Sequence, residues 1–404
     1  MADEQSRIAS VLKRLTFAPR PGQVESYEGA TAQDVVEELL AAIVEDPTYP
    51  ELGTNDDYSI VRTWWVDHMV TGDVGIHERM LWFWHTHITS SLAKVEPALM
   101  LRQHKLLRAN ALGNFRDLMQ QVTIDAAMLV WLDGESNTID SPNENYSREV
   151  MELFMLGRDS NAYTEQDVRN GARALAGWWV DGDNGNEVKF DSEAALHEPV
   201  DFLGTQVTTA EDAINAICDN PACAAYIASA VHTYLVGFAP QDARRDELAT
   251  AFSDSGYEIR ALVEGIVRHQ SFIDAELSRP RSALEWFVAL GRFYETDIDF
   301  YRLEALGQIP MEPPNVAGWP GPYRWMSTSA VFEKAAAARD YADDLATLDS
   351  DDPVSEVLAK AGLFTVSDGT RAALEQAAGA VEGLRELSTV LHSLVACSPE
   401  FSLV

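Results

Sequence analysis

Lysine is scarce in this chain: six occur in 404 residues (Lys13, Lys94, Lys105, Lys189, Lys334, Lys360), so arginine carries most of the positive charge. Basic residues of both kinds are few. Against 64 Asp and Glu stand 30 Lys and Arg, a net charge of −34. That balance excludes the basic footprint that phosphate backbones require, so no nucleic-acid partner is expected. It argues equally against docking on an anionic membrane surface. No apolar run approaches the roughly 20 residues that span a bilayer. The start, Met-Ala-Asp-Glu-Gln, shows no basic region followed by an apolar stretch, so no secretory signal is read and a cytoplasmic location is expected. Cysteine is also sparse. Cys218 and Cys223 flank Asp-Asn-Pro-Ala, Cys397 stands alone, and that spacing suits reduced structural thiols better than zinc. Familiar enzyme signatures are missing too: no Gly-x-Gly-x-x-Gly after a strand, no Walker loop, no Gly-x-Ser-x-Gly elbow and no His-Glu-x-x-His.

What is present is helical periodicity. The chain is 46% hydrophobic with ten tryptophans, a globular composition, and long enough for one large core. Helix patterns run over 33–45, 80–94, 101–111, 115–118, 124–132 and 164–178, where Thr164 is placed to cap an acidic first turn. After Trp178 the periodicity weakens, and glycines at 182, 185 and 204 with Pro199 predict a small β-hairpin or meander over 178–207. Helices resume over 210–218, 222–236, 244–253, 259–269 and 282–294. Five prolines and two tryptophans between Gln308 and Trp325 predict a stiff packed loop. The fold class expected is therefore mainly α: a large irregular helical domain over 1–342 with the β insertion. An acidic linker over 343–353 and C-terminal helices over 354–404, packed on the same domain, complete it.

The segment Pro142-Asn143-Glu144-Asn145-Tyr146-Ser147-Arg148-Glu149-Val150-Met151-Glu152-Leu153-Phe154 carries carboxylates into an apolar stripe. Asn143 or Asn145 is suited to cap its helix. On an α-helical spacing Tyr146, Val150, Leu153 and Gly157 share a face with Glu149. A buried carboxylate needs a partner, and Arg116 or Arg173 is a candidate, as is a metal. Arg148 stands four residues before Glu152.

Several segments together resemble the domain-of-unknown-function 1800 (DUF1800) family. They are Trp82-Phe83-Trp84-His85-Thr86-His87, Pro142 to Gly157, Tyr163 to Val168, Ala172 to Trp178, and Pro313-Pro314-Asn315-Val316-Ala317-Gly318-Trp319. The resemblance runs from Arg14-Leu15-Thr16-Phe17 to Ser398-Pro399-Glu400-Phe401. It implies a bacterial protein with these motifs in a shared architecture, and it supplies no activity. Relatives commonly carry Asn where this chain has Thr86, and a His-Asp…Lys pattern before Leu-Gly. Here that pattern reads His197-Glu198 and Asp201-Phe202-Leu203-Gly204, without the lysine. Relatives often look exported and often lie beside a sulfatase-like family.

Three functional readings follow. The first is an enzyme with His85, Glu149 and Arg173 as catalytic residues between the His85 and Glu149 helices. It would work by acid–base chemistry or with a divalent metal held by His85, His87, Glu149 and Glu152. In a continuous helix His85 and His87 point about 200° apart, which opposes joint chelation. The second is a non-catalytic helical module in which the same residues form buried His–Glu–Arg networks and the partner is another protein. The third is recognition of a carbohydrate or peptide, a small-molecule or polymer ligand, by the tryptophan-rich loop, with Asn143, Asn145, His197, Asn315 and Trp319 as ligand-binding candidates.

Overall fold

The structure is a computed structural model that describes residues 4–53, 57–297, 299–343, 345–348 and 350–404. Met1 to Asp3, and Asp344 and Asp349 of the expected linker, lie outside the described residues. The fold is mainly α with two small antiparallel two-stranded sheets, in the place where the periodicity fails. Strand β1 (Trp178–Asp181) pairs with β2 (Glu187–Phe190), and β3 (Val200–Phe202) with β4 (Thr205–Val207).

Helix starts follow local chemistry. Thr31 with Asp34, Thr164 with Asp167, Thr209 with Asp212 and Ser282 with Glu285 each form a reciprocal capping box, satisfying backbone donors that the first turn leaves free. Two further helices frame the centre: Glu4–Thr16, and Asp57–Thr71 with Trp64, Trp65 and His68. The aromatic helix spans Ile76–His87 and stops seven residues short of its expected end. Beyond it the backbone turns to meet the proline-rich loop: Thr89 Oγ1 donates to Val316 O at 2.5 Å, Ser91 Oγ to Pro313 O at 3.1 Å, and Leu92 N to Met311 O at 2.9 Å.

One buried cluster runs from Ile8 to Phe401. Within it lie five nearly inaccessible arginines, Arg14, Arg79, Arg108, Arg281 and Arg292. Arg14, Arg281 and Arg292 donate to backbone carbonyls (Phe272, Phe401 and Ala18), which accounts for the choice of arginine over lysine: a planar fork of donors can answer several acceptors at once. The C-terminal helix Leu384–Ala396 packs on Thr328–Ala342, with Ser388 Oγ donating to Ala346 O. Cys218 and Cys223 are buried and unbonded. No helix among the described residues is long and apolar enough to cross a membrane.

Candidate functional site

The Glu149 segment departs from the expected helix. An α-turn covers Asn145–Glu149, and the backbone then widens to a π-helix over Val150–Met155, where Met151 O accepts from Leu156 N at 3.0 Å and Gly157 N at 3.2 Å. Asn143 caps it from outside, Oδ1 accepting from Asn145 N at 3.0 Å. Glu149 closes the α-turn ahead of the widening, and the buried face there runs through Tyr146, Ser147, Val150 and Met151, so Glu149 stands off that face and ends half-buried instead of in the core. Burial and the neighbouring Glu152 raise its pKa. Of the two arginines expected to answer it, Arg116 is engaged with Asp219 at 2.7 Å, and the adjacent Arg148 pairs with Glu165 at 2.7 Å and Glu144 at 3.3 Å. Glu152 pairs with Arg158, and Arg173 makes no ion pair among the described residues.

His85 is fully buried and shares a hydrogen bond with His104, Nε2 to Nδ1 at 3.1 Å, with its ring 4.5 Å from Trp65. Burial lowers its pKa to about 3, so it is neutral, and the charges it senses are Glu78 and Arg108. Those sensed by Glu149 are Glu152, Arg158 and Arg148. The two residues belong to different environments. His87 is the histidine that reaches the Glu149 helix, Nε2 donating to Phe154 O at 2.9 Å; burial lowers its pKa to about 4. No group of three or more His, Cys, Asp or Glu among the described residues is placed to hold a metal ion. The set His85, His87, Glu149, Glu152 is thus not assembled, because the continuous helix turns the two histidines toward different partners.

The remaining expected contacts are dispersed. Asn145 is exposed and donates to Asp133 Oδ2 at 3.3 Å, while Asn143 donates to Asp133 O at 3.2 Å; both shape a loop. His197 is exposed on the β insertion. Asn315 is exposed, and its Oδ1 accepts from Ala317 N at 2.9 Å in the turn that delivers Gly318 and Trp319. Trp319 reaches a cavity.

That cavity is a cleft of about 540 Å³ between the aromatic helix, the helix Pro221–Val236, the start of Ala283–Tyr294 and the proline-rich loop. Trp82, Trp319, Trp325, Tyr226 and Tyr234 wall it, with Trp82 and Trp319 rings 5.6 Å apart. The family motifs hold these walls. Tyr226 OH donates to Leu153 O at 2.8 Å, a carbonyl of the π-helix, and Gly157 closes under its ring. Gly318, at φ +81°, lets the loop approach Thr86 O, which a Cβ would meet at 3.1 Å.

At one end the cleft meets Arg279 and Glu285. Arg279 grips the carboxylate with both terminal nitrogens at 2.8 Å, Ser282 N donates to it at 2.8 Å, and Arg79 Nη2 stands 2.7 Å away, off the line of a hydrogen bond. Burial alone would raise the Glu285 pKa; Arg279 and Arg79 outweigh it and hold the carboxyl well below its usual range. Tyr234 lies under both guanidiniums, 4.8 Å from Arg79 and 5.2 Å from Arg279, replacing hydration by ring quadrupole. Gln308, 3% exposed, accepts from Leu284 N through Oε1 at 2.8 Å, leaving its NH₂ as a donor at the cleft wall.

A sequence profile of the family described as protein of unknown function (DUF1800) matches residues 10–403. The chain belongs to the DUF1800 family. No curated protein and no solved structure matches it. Two buried charge networks in this DUF1800 chain lie outside the sequence-expected sites: Glu285 with Arg79 and Arg279, and Glu78 with Arg108 (2.6 Å), Trp65 Nε1 (2.7 Å) and His68 (3.4 Å). The available signals were Ser282-x-x-Glu285 ahead of a twelve-residue apolar helix, and Glu78-Arg79 inside an aromatic one. In both, a charge is forced into the core.

Proposed function

We propose that this protein is a recognition module that binds a small ring-bearing molecule in the cleft of Trp82, Trp319, Trp325, Tyr226 and Tyr234. The carrying observation is the cleft itself: about 540 Å³, within the size range of small-molecule sites, with aromatic walls and a few convergent polar groups. Aromatic faces supply apolar contact to a flat ring, and Gln308 and Arg279 supply direction. Two of the five family motifs line its walls, the aromatic helix through Trp82 and Thr86 and the proline-rich loop through Trp319, and a third, the π-helix, supports the wall from behind through Leu153 O and Tyr226 OH.

The enzyme reading has less behind it. His85 is neutral and committed to His104, and Glu149 has no nucleophile or base in hydrogen-bond reach among the described residues. The buried-network reading suits Glu78 and Glu285, and it is compatible with a binding cleft because the networks fix the helices that form it.

Tryptophan fluorescence with ligand-observed NMR, against a set of aromatic acids, aromatic amides and simple sugars, tests the proposal. At least one class should bind, and Trp319→Ala should abolish binding while the remote, exposed Trp179→Ala leaves it intact. Binding that survives Trp319→Ala, or no binding by any class, would overturn it.

A further inference from the structure

The hydrogen-bonding capacity left over around the cleft lies on the donor side. Trp319 Nε1 and Arg279 Nε are buried without partners, as are Nε and Nη1 of Arg79 just behind the wall. The Gln308 NH₂ adds two donors, since its oxygen is already used by Leu284 N. The strong acceptor of the site, Glu285, is spent on Arg279, Arg79 and Ser282 N.

The charge balance has the same sign. Arg79 and Arg279 face a single carboxylate. Arg281, whose own donors go to Phe401 O and Phe17 O, adds a third guanidinium that feels both of the others and Glu285. Three cations against one anion leave the inner end of the cleft positive, inside a chain whose net charge is −34. A carboxylate placed there would meet the unspent Gln308 NH₂ and uncompensated charge in a poorly solvated setting, where both count for more than in water. A cationic ligand would meet repulsion, and a neutral one would leave the excess charge unanswered.

We propose that the ligand of this cleft is an organic acid: a ring laid against the aromatic wall at Trp319, with a carboxylate directed to Arg279 and Gln308. This rests on the reading of the cleft as the binding site, and it adds the ligand's charge. The global acidity would slow the encounter of an anion, so selectivity must come from the local donors and not from long-range steering.

The test uses pairs matched in ring and different in charge: benzoate against benzamide, and glucuronate against glucose, titrated into the full chain. In at least one pair the acid should bind about tenfold tighter or more, as charge-assisted hydrogen bonds imply. Raising the ionic strength should weaken the acid and spare its neutral partner. Gln308→Glu keeps the oxygen that Leu284 N needs and replaces the donor by a negative charge. It should erase the preference for the acid, with a thermal melt as the folding control. Equal affinity for acid and neutral partner, both lost in Trp319→Ala, would overturn the acid assignment and leave the cleft as a neutral-ring site. Failure of all four to bind would overturn the cleft reading itself. If Gln308→Glu does not fold, the salt dependence in the unmodified chain decides.

Discussion

Tyr226 lies across Gly157 so closely that a Cβ on that glycine would stand 2.8 Å from Cδ2 and 2.9 Å from Cε2 of the ring. Gly157 also sits at φ +87°, where L side chains are strained. The residue that ends the π-helix therefore sets the position of one wall of the cleft. Gly157→Ala should cost roughly 2–4 kcal/mol, from left-handed backbone strain together with overpacking. Urea unfolding checks it. A loss under about 0.5 kcal/mol would show that the ring moves freely, and the link from motif to cleft would fail.

Glu78 is the second core carboxylate whose removal should be felt. Burial would raise its pKa, but the His68 hydrogen bond, the Arg108 charge and Trp65 bring it down to about 2. Glu78→Gln leaves Arg108 buried without a counter-charge and should lower stability at neutral pH by about 3–5 kcal/mol. The folded pKa is depressed, so this contribution is complete above pH 4.5 and is lost as the pH falls toward 2. The difference in unfolding free energy between the unmodified chain and the variant should therefore shrink through that window. A difference that stays constant from pH 6 to 3 would mean that the ion pair is not its source.

How much of this was legible beforehand depends on what each signal encodes. Capping chemistry is local, and Thr164 with Asp167 could be read because three residues suffice. The β insertion was visible as a loss of period flanked by glycines. The carboxylate helix shows the limit of periodicity: it carries apolar residues on more than one face, and the buried one runs through Ser147 and Met151, which leaves Glu149 at its flank. Partner choice was hidden for a different reason. Arg79 meets Glu285 across 206 positions of chain, and Arg108 meets Glu78 across a helix-to-helix packing, so only the three-dimensional contact names the pair. Trp319 lines the cleft, where a packed proline-rich loop presents it, whereas Asn143, Asn145 and Asn315 combine ligand-like chemistry with a place in turns.

Two buried histidines predict an acid-sensitive fold. Unfolded histidine protonates near pH 6.5, while burial holds His85 to about 3 and His87 to about 4 in the folded chain. Between those values the unfolded state binds more protons, so stability rises with pH and declines as acid is added from 6.5 downward. Denaturation midpoints at pH 7, 6, 5 and 4 should fall steadily. His87→Gln, which keeps an N–H donor for Phe154 O and cannot titrate, should flatten that slope. An unchanged slope would place the acid sensitivity in other groups.

The proline-rich loop gives the last test, because it separates the shape of the cleft from the stability of the fold. Gly318 sits at φ +81° with its α-carbon against the end of the aromatic helix, and a Cβ would come within 3.1 Å of Thr86 O and 3.5 Å of Thr89 Cγ2. The backbone carbonyl cannot yield without loosening the helix end, so the loop must move and carry Trp319 off Trp82. Its anchors (Thr89 to Val316, Ser91 to Pro313) lie at the loop's base and need not break. Gly318→Ala should therefore weaken ring binding by about tenfold or more, the loss of one good aromatic contact, while lowering unfolding free energy by only about 1–2 kcal/mol. Fluorescence titration and urea unfolding on the same sample read both. Unaltered affinity beside a large loss of stability would show that the loop anchors the fold and that the ring of Trp319 is incidental to binding.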